Sequence, residues 1–135
     1  MAIRVLLVDD HVSVLEGVRD LLSPEFAVVA TATDGVEMLS ACECHNPDVI
    51  VTDIAMQRLS GIEASRKLLR SRPDTPIVIL TMHREREVVQ CALDAGVTGY
   101  VHKLSAGEDL IPAIRLALAG KRFISDSCRF PAAGN

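Results

Sequence analysis

Three carboxylates, a hydroxyl and an ammonium stand where apolar runs end: Asp9 and Asp10 after VLLV, Asp53 after VIVT, Thr81 after IVIL and Lys103 after GYVH. In open α/β sheets ligands bind outside the carboxyl ends of the strands, so these five positions converge if the runs are parallel strands. In the strand order 2-1-3-4-5 the first and third strands are neighbours, and Asp9, Asp10 and Asp53 share one pocket. Like charges so placed repel, and the repulsion is relieved by protonation or by a cation. An all-oxygen ligand set suits Mg²⁺, which takes one or two carboxylates together with waters and phosphate oxygens. Thr81 offers one hydroxyl hydrogen bond and Lys103 a positive charge on a flexible stem. Together these are the parts needed to make and hold an aspartyl phosphate. Asp53 is the expected nucleophile, with the metal and Lys103 neutralising charge as a phosphoryl group arrives in line.

The elements that must position them follow from hydrophobic periodicity. Strands are predicted at 3–8, 26–33, 48–52, 76–81 and 98–102, and helices at 11–22, 35–45, 60–72, 84–95 and 106–119. Runs such as VLLV and VIVT are continuously apolar, as strands covered on both faces are. The economical arrangement is a doubly wound α/β fold, flavodoxin-like, with a five-stranded parallel sheet in the order 2-1-3-4-5. Asn46-Pro47, Pro73-Asp74, Ala95-Gly96 and Gly120 supply helix stops.

The 135 residues fit one domain, and 49% hydrophobic content provides a core without metal or disulfide staples. The net charge of −4 conceals a division: residues 1–57 carry two bases against ten acids, and residues 58–135 twelve bases against eight acids. A nucleic-acid binder is expected to be basic overall, and the basic helix at 60–72 lacks aromatic interleaving, so it reads as a solvated face. No glycine lies between Asp9 and Glu16, and no GxxxxGK[ST] occurs, which disfavours dinucleotide and P-loop chemistry. No signal peptide or membrane span is apparent, and a cytoplasmic location is expected. The four cysteines read as reduced thiols. Cys42 and Cys44 point apart on a helix and cannot share a metal.

At these residues the sequence resembles the receiver domain of bacterial two-component response regulators. The resemblance covers about residues 3–120 and is carried by VLLVDDH (5–11), PDVIVTDIAM with Gly61 eight residues after Asp53, VILTMH (78–83) and AGVTGYVHK (95–103). DDH, TMH and GYVHK are similar in particular to the NarL/FixJ-type (LuxR-type) subfamily. The resemblance implies Asp53 as phosphoacceptor and Asp10 and Asp53 as direct Mg²⁺ ligands, with Asp9 acting through water and the Ala55 carbonyl as a third protein oxygen. It implies Thr81 and Tyr100 as a switch pair that alters the face of the fourth helix, fifth strand and fifth helix, and Ala55 and His83 as the positions that tune phosphoryl lifetime. As partners it implies a sensor histidine kinase, a second copy of the chain on phosphorylation, and DNA only through an output domain not contained in these residues. The receiver is expected at 1–120 and a linker or tail at 121–135. The chain is then a switch rather than an enzyme, catalysing only its own phosphotransfer and dephosphorylation.

Two other classes use similar residues. An Asp-nucleophile phosphatase of the haloacid dehalogenase type should carry a second acid two residues after the nucleophile, where this chain has Ala55; an unphosphorylated receiver-like module usually lacks an acid or the lysine, and here all are present. Departures from the receiver pattern are Gln57 in place of Pro, implying a less rigid loop, and Leu104 in place of the Pro after the lysine. Pro112 is the oddest residue. A capping box of Ser105 and Glu108 puts it inside a helix at a cost of about 3 kcal/mol, whereas an N-cap at Asp109 places it in the first turn. The expectation is a late or kinked fifth helix.

Overall fold

The strands are short apolar runs whose successive side chains feed two separate cores. In the computed structural model, which describes residues 2–130, the order of elements is β1 (Arg4–Val8), α1 (Val12–Leu22), β2 (Ala27–Ala32), α2 (Gly35–His45), β3 (Val49–Thr52), α3 (Gly61–Ser71), β4 (Ile77–Thr81), α4 (Arg86–Asp94), β5 (Gly99–His102), α5 (Ala106–Leu118) and β6 (Phe123–Ile124). Val5 and Leu7 of β1, Val49 and Val51 of β3, and Val78 and Leu80 of β4 join Leu15, Leu22, Leu110 and Ile114 of α1 and α5. The intervening Leu6, Val8, Ile50, Ile77 and Ile79 join Met38, Ile62, Leu68 and Val89 of α2, α3 and α4 on the other side. This period-two division between two buried faces explains why the strands read as unbroken apolar runs.

The sheet is parallel with order β2-β1-β3-β4-β5-β6. The five-stranded expectation is therefore corrected to six. The sixth strand comes from the tail: Phe123 and Ile124 pair with Gly99 and Tyr100. Two residues are too few to show a hydrophobic period, which is why this strand was invisible in the sequence.

Helix ends follow the sequence closely. Asp34 and Ser60 cap α2 and α3 by accepting from the N–H groups of Glu37 and Glu63, and Asn46 ends α2 in the left-handed region at φ 46°. The late start of the fifth helix is not observed. A 3₁₀ turn at Lys103–Ser105 runs into α5 at Ala106, and the Ser105 side chain makes no capping bond. Pro112 sits inside α5 on its exposed side, as does Glu108, whose carbonyl loses its i+4 donor. Among the described residues no helix is long and apolar enough to cross a membrane.

Candidate functional site: an acidic pocket at the ends of β1, β3 and β5

Asp53 is fixed before its side chain does anything. Its N–H donates to the Val8 carbonyl (2.9 Å), stitching the end of β3 to β1 one residue before Asp9. Its carbonyl accepts from the Thr52 hydroxyl (2.9 Å), and the Ile54 carbonyl accepts from the Gly61 N–H (3.0 Å), closing the loop 54–60 into the start of α3. A Cβ at Gly61 would lie 1.9 Å from the Asp53 carbonyl oxygen, so only glycine permits this closure.

The far side of the loop is held by α2. Gly35 N–H donates to the Leu59 carbonyl (2.9 Å), and Arg58, in the left-handed region at φ 64°, places its Nε 2.7 Å from Asp34 Oδ2. With Gln57 in place of proline, the loop is nonetheless anchored at two points. The Arg58 guanidinium, helped by the Glu37 N–H, holds the Asp34 carboxyl below its ordinary value. A lowered carboxyl stabilises the fold above its unfolded pKa, about 4, and loses that contribution as pH falls through the lower folded value. Arg58→Ala should therefore melt below wild type near neutrality, with the gap narrowing from about pH 4 downward when melting temperature is followed against pH.

Asp53 is a buried residue, 5% exposed, and both its carboxylate oxygens are engaged. Oδ1 accepts from the Ile54 N–H (2.7 Å), and Oδ2 lies 3.0 Å from Lys103 Nζ. The same Nζ is 2.8 Å from Oδ2 of Asp9, itself 3% exposed. Burial pulls the Lys103 pKa down, but the bonds to Asp9 and Asp53 outweigh it and hold the ammonium above its ordinary value. Asp10 is less buried and faces His11, whose Nδ1 lies 2.9 Å from Asp10 Oδ1 and 3.1 Å from Asp9 Oδ1. Carboxylate and imidazole donor atoms of Asp9, Asp10 and His11 fall within 4.8 Å of one another. The expected triad is thus brought together in two steps: Asp9 with Asp10 and His11 on one side, Asp53 joined to Asp9 through Lys103 on the other. His11 had no role in the sequence reading; its only signal was its place beside the aspartate pair.

Three carboxylates against one ammonium leave an excess of two negative charges when the imidazole is neutral. That donor set fits a divalent, oxygen-preferring cation such as Mg²⁺. Ala55, two residues past Asp53, is exposed and brings no polar side-chain atom.

The response regulator receiver domain model matches residues 5–115, most of the chain. The chain belongs to this family. It is 41% identical over 125 residues to the response regulator GacA of Pseudomonas viridiflava, covering 91% of this chain and 58% of GacA. A two-component response regulator of the LuxR family from Aurantimonas sp. SI85-9A1 superposes with a TM-score of 0.90 at 38% identity, covering 95% of this chain and 93% of that one. The isolated receiver of RcsB from Salmonella enterica serovar Typhimurium, solved in the presence of phosphomimetic BeF3−, superposes with a TM-score of 0.85 at 28% identity, covering 95% and 96%. The chain spans a little over half the length of the curated relatives it matches, between 52% and 58%.

In this receiver Thr81 and Tyr100 are both fully buried and meet through one residue. The His83 N–H donates to Thr81 Oγ1 (3.3 Å), and the His83 carbonyl accepts from the Tyr100 hydroxyl (2.8 Å). The aromatic ring already lies inside in this structure. The His83 imidazole is partly exposed and 3.3 Å from Glu85 Oε2. Leu104, where many receivers have proline, uses the N–H that proline lacks to donate to His102 Nδ1 (3.3 Å).

Proposed function

We propose that the chain is the phosphoacceptor unit, residues 1–120 with the following segment packed on it, of a cytoplasmic response regulator. Asp53 accepts the phosphoryl group of a phosphohistidine on a sensor histidine kinase. The observation that carries this reading is the Asp53 carboxylate: buried, oriented by the Ile54 N–H and neutralised by Lys103 beside a second buried carboxylate. An Asp53 oxygen attacks phosphorus as the P–N bond breaks, its electron pair leaving on the imidazole nitrogen, and the product is an acyl phosphate. Lys103 offsets the charge that gathers on the phosphoryl oxygens. Asp10 and Asp53, with the Ala55 carbonyl and with Asp9 through water, would hold Mg²⁺, which supplies the remaining charge neutralisation when bound.

Thr81, freed from the His83 N–H, donates its hydroxyl to the phosphoryl group. A charge-assisted bond of about 1.5–3 kcal/mol shifts a conformational population roughly 10- to 150-fold. The responding surface is formed by α4, the β5–β6 edge and α5, and the output is an attached domain acting on DNA, or a second copy of the chain. The deciding experiment is Mg²⁺-dependent labelling with acetyl phosphate. Wild type should gain one acid-stable, base-labile phosphoryl group by intact mass and Asp53→Asn none; an unlabelled wild type, or equal labelling of both, overturns the assignment.

The lifetime of the acyl phosphate is governed by how water is oriented for attack on phosphorus. Ala55 has no group for this, which leaves His83. Because His83 contacts Thr81 and Tyr100 through its main chain, His83→Ala removes only the imidazole. It should slow dephosphorylation several-fold, measured as loss of the intact-mass adduct after the donor is removed, and an unchanged rate refutes the role.

A further inference from the structure

The tail after Gly120 makes more contacts than a linker needs. Its N–H at Ser125 donates to the Tyr100 carbonyl (2.9 Å), and β6 lies along β5 with Ile124 opposite Tyr100. Ser125 is 1% exposed, and its hydroxyl accepts from the His102 N–H (3.1 Å) while donating to Asp109 Oδ2 (2.6 Å), so one side chain ties the tail to β5 and α5. Cys128, also 1% exposed, packs in the apolar cluster that contains Tyr100, with Ile124 against its margin. Arg129 Nε closes the turn onto the Ile124 carbonyl (2.8 Å), and the Arg86 guanidinium of α4 stands 5.2 Å from the centre of the Phe130 ring.

Tyr100 is therefore held at both ends: its hydroxyl by His83 in the β4–α4 loop, its main chain and one side of its surroundings by the tail. Burial first, and then the nearness of Cys128, Glu85 and Asp53, push its phenol upward, as expected for a ring enclosed between the acidic pocket and the docked segment. A two-residue strand has little stability of its own, so its docking depends on Ser125 and the apolar contacts and can be tipped by small changes.

We infer that the segment Lys121–Phe130 is a clamp on the switch: docked on β5 it keeps the Tyr100 ring inside, and through Tyr100 the state of Asp53 sets how firmly the segment is held. The second half rests on the phosphoacceptor reading of Asp53. If a phosphorylated Asp53 draws Thr81 toward it and favours the inner ring position, it must favour docking as well, and by linkage docking must favour phosphorylation. The chain leaving Phe130 would thereby receive the signal without any partner binding the β5 edge.

The molecule carries its own reporters. Cys44 and Cys91 are exposed, whereas Cys42, on α2 over β2, and Cys128, beside β5, are buried in one apolar cluster toward opposite edges of the sheet. Tyr100 is the single tyrosine, and tryptophan is absent. In the full chain, iodoacetamide labelling mapped by peptide mass should find Cys128 protected. Ser125→Ala should raise Cys128 labelling by about 10-fold or more while Cys42 stays protected, since it strands a buried N–H and a carboxylate. Acrylamide quenching of the tyrosine fluorescence should rise in parallel. Unchanged Cys128 labelling, or released Cys128 with unchanged quenching, overturns the clamp. If Cys42 and Cys128 open together, the fold itself has loosened, and Arg86→Ala/Arg129→Ala, which touches only the outer contacts of the segment, decides by the same two readouts. Under Mg²⁺ and acetyl phosphate, wild-type Cys128 should be labelled several-fold more slowly than Cys128 of Asp53→Asn. A phosphorylated protein with unaltered Cys128 labelling overturns the coupling to Asp53. A protein that takes no phosphoryl group overturns the phosphoacceptor reading instead, and the hold on Tyr100 then stands or falls by quenching alone.

Discussion

Gly61→Ala is expected to destabilise the protein at or beyond the upper end of the roughly 1–3 kcal/mol range for overpacking, and to slow phosphoryl labelling of what remains folded by on the order of 100-fold. The added methyl would stand 1.9 Å from the Asp53 carbonyl oxygen and 3.1 Å from Thr52 Oγ1. Neither neighbour can give way cheaply. The Asp53 carbonyl is held by the Thr52 hydroxyl, the Asp53 N–H is bonded to β1, and the Gly61 N–H is bonded to Ile54. Relief comes only by moving the backbone that aims the Asp53 carboxylate, and a displacement of about 1 Å at a reacting group costs on the order of 100-fold in rate. Gly17→Ala is the control. It lies in α1 with nothing within 4 Å of the added carbon, and should stabilise by roughly 0.5–1 kcal/mol through helix propensity alone. Urea titrations of the two variants beside wild type separate the outcomes. A Gly61→Ala protein of wild-type stability and full labelling would show that the loop closure is not what sets the acceptor.

Much of this was legible because it is written in periods and end residues. β1, β3 and β4 are long enough to show an unbroken apolar run, and β1, β3, β4 and β5 each end at a polar side chain that the topology carries to the same end of the sheet. The uneven charge division along the chain becomes a local fact in the pocket, where Asp9 and Asp53 from the acidic half meet Lys103 from the basic half. What was not legible depends on single long-range contacts with no period. The sixth strand is two residues long and is secured by Ser125, a residue ordinary in any tail. The Arg58–Asp34 pair links positions 24 residues apart, and nothing in their local sequence announces it. Pro112 misled for the opposite reason: its local cost is real, but it falls on the exposed side of α5, and the packing of Leu110, Ala113 and Ile114 on the other side is kept.

Lys103→Met should cost about 3 kcal/mol, near the lower end of the range for removing one partner of a buried ion pair, because the Lys103 side chain is 16% exposed while the side chains of its partners Asp9 and Asp53 are 4% and 7% exposed. Asp9 and Asp53 would then face each other with no counter-charge. Mg²⁺ should consequently raise the melting temperature of the variant more than that of wild type, since the divalent ion takes over a charge that the ammonium already balances. The pH dependence has a definite sign. Lys103 is held above its ordinary value in the fold, so its contribution is complete below the unfolded lysine pKa, about 10.5, and is lost only as pH rises through the higher folded value. The stability gap between wild type and variant should be flat from neutrality to about pH 10 and close above it. Labelling of Asp53 by acetyl phosphate should slow by about 100-fold or more, the scale for losing one preorganised charge-stabilising donor. Equal Mg²⁺ shifts in the two proteins, or undiminished labelling, would remove Lys103 from the site. Lys103→Arg separates its two roles. A guanidinium restores the charge but spreads it over a planar fork, whereas Lys103 concentrates it on one nitrogen 2.8 Å from Asp9 Oδ2 and 3.0 Å from Asp53 Oδ2. It should therefore recover most of the stability and little of the rate, because folding asks only that the buried charges be balanced, whereas phosphoryl transfer asks that the balance sit at one point.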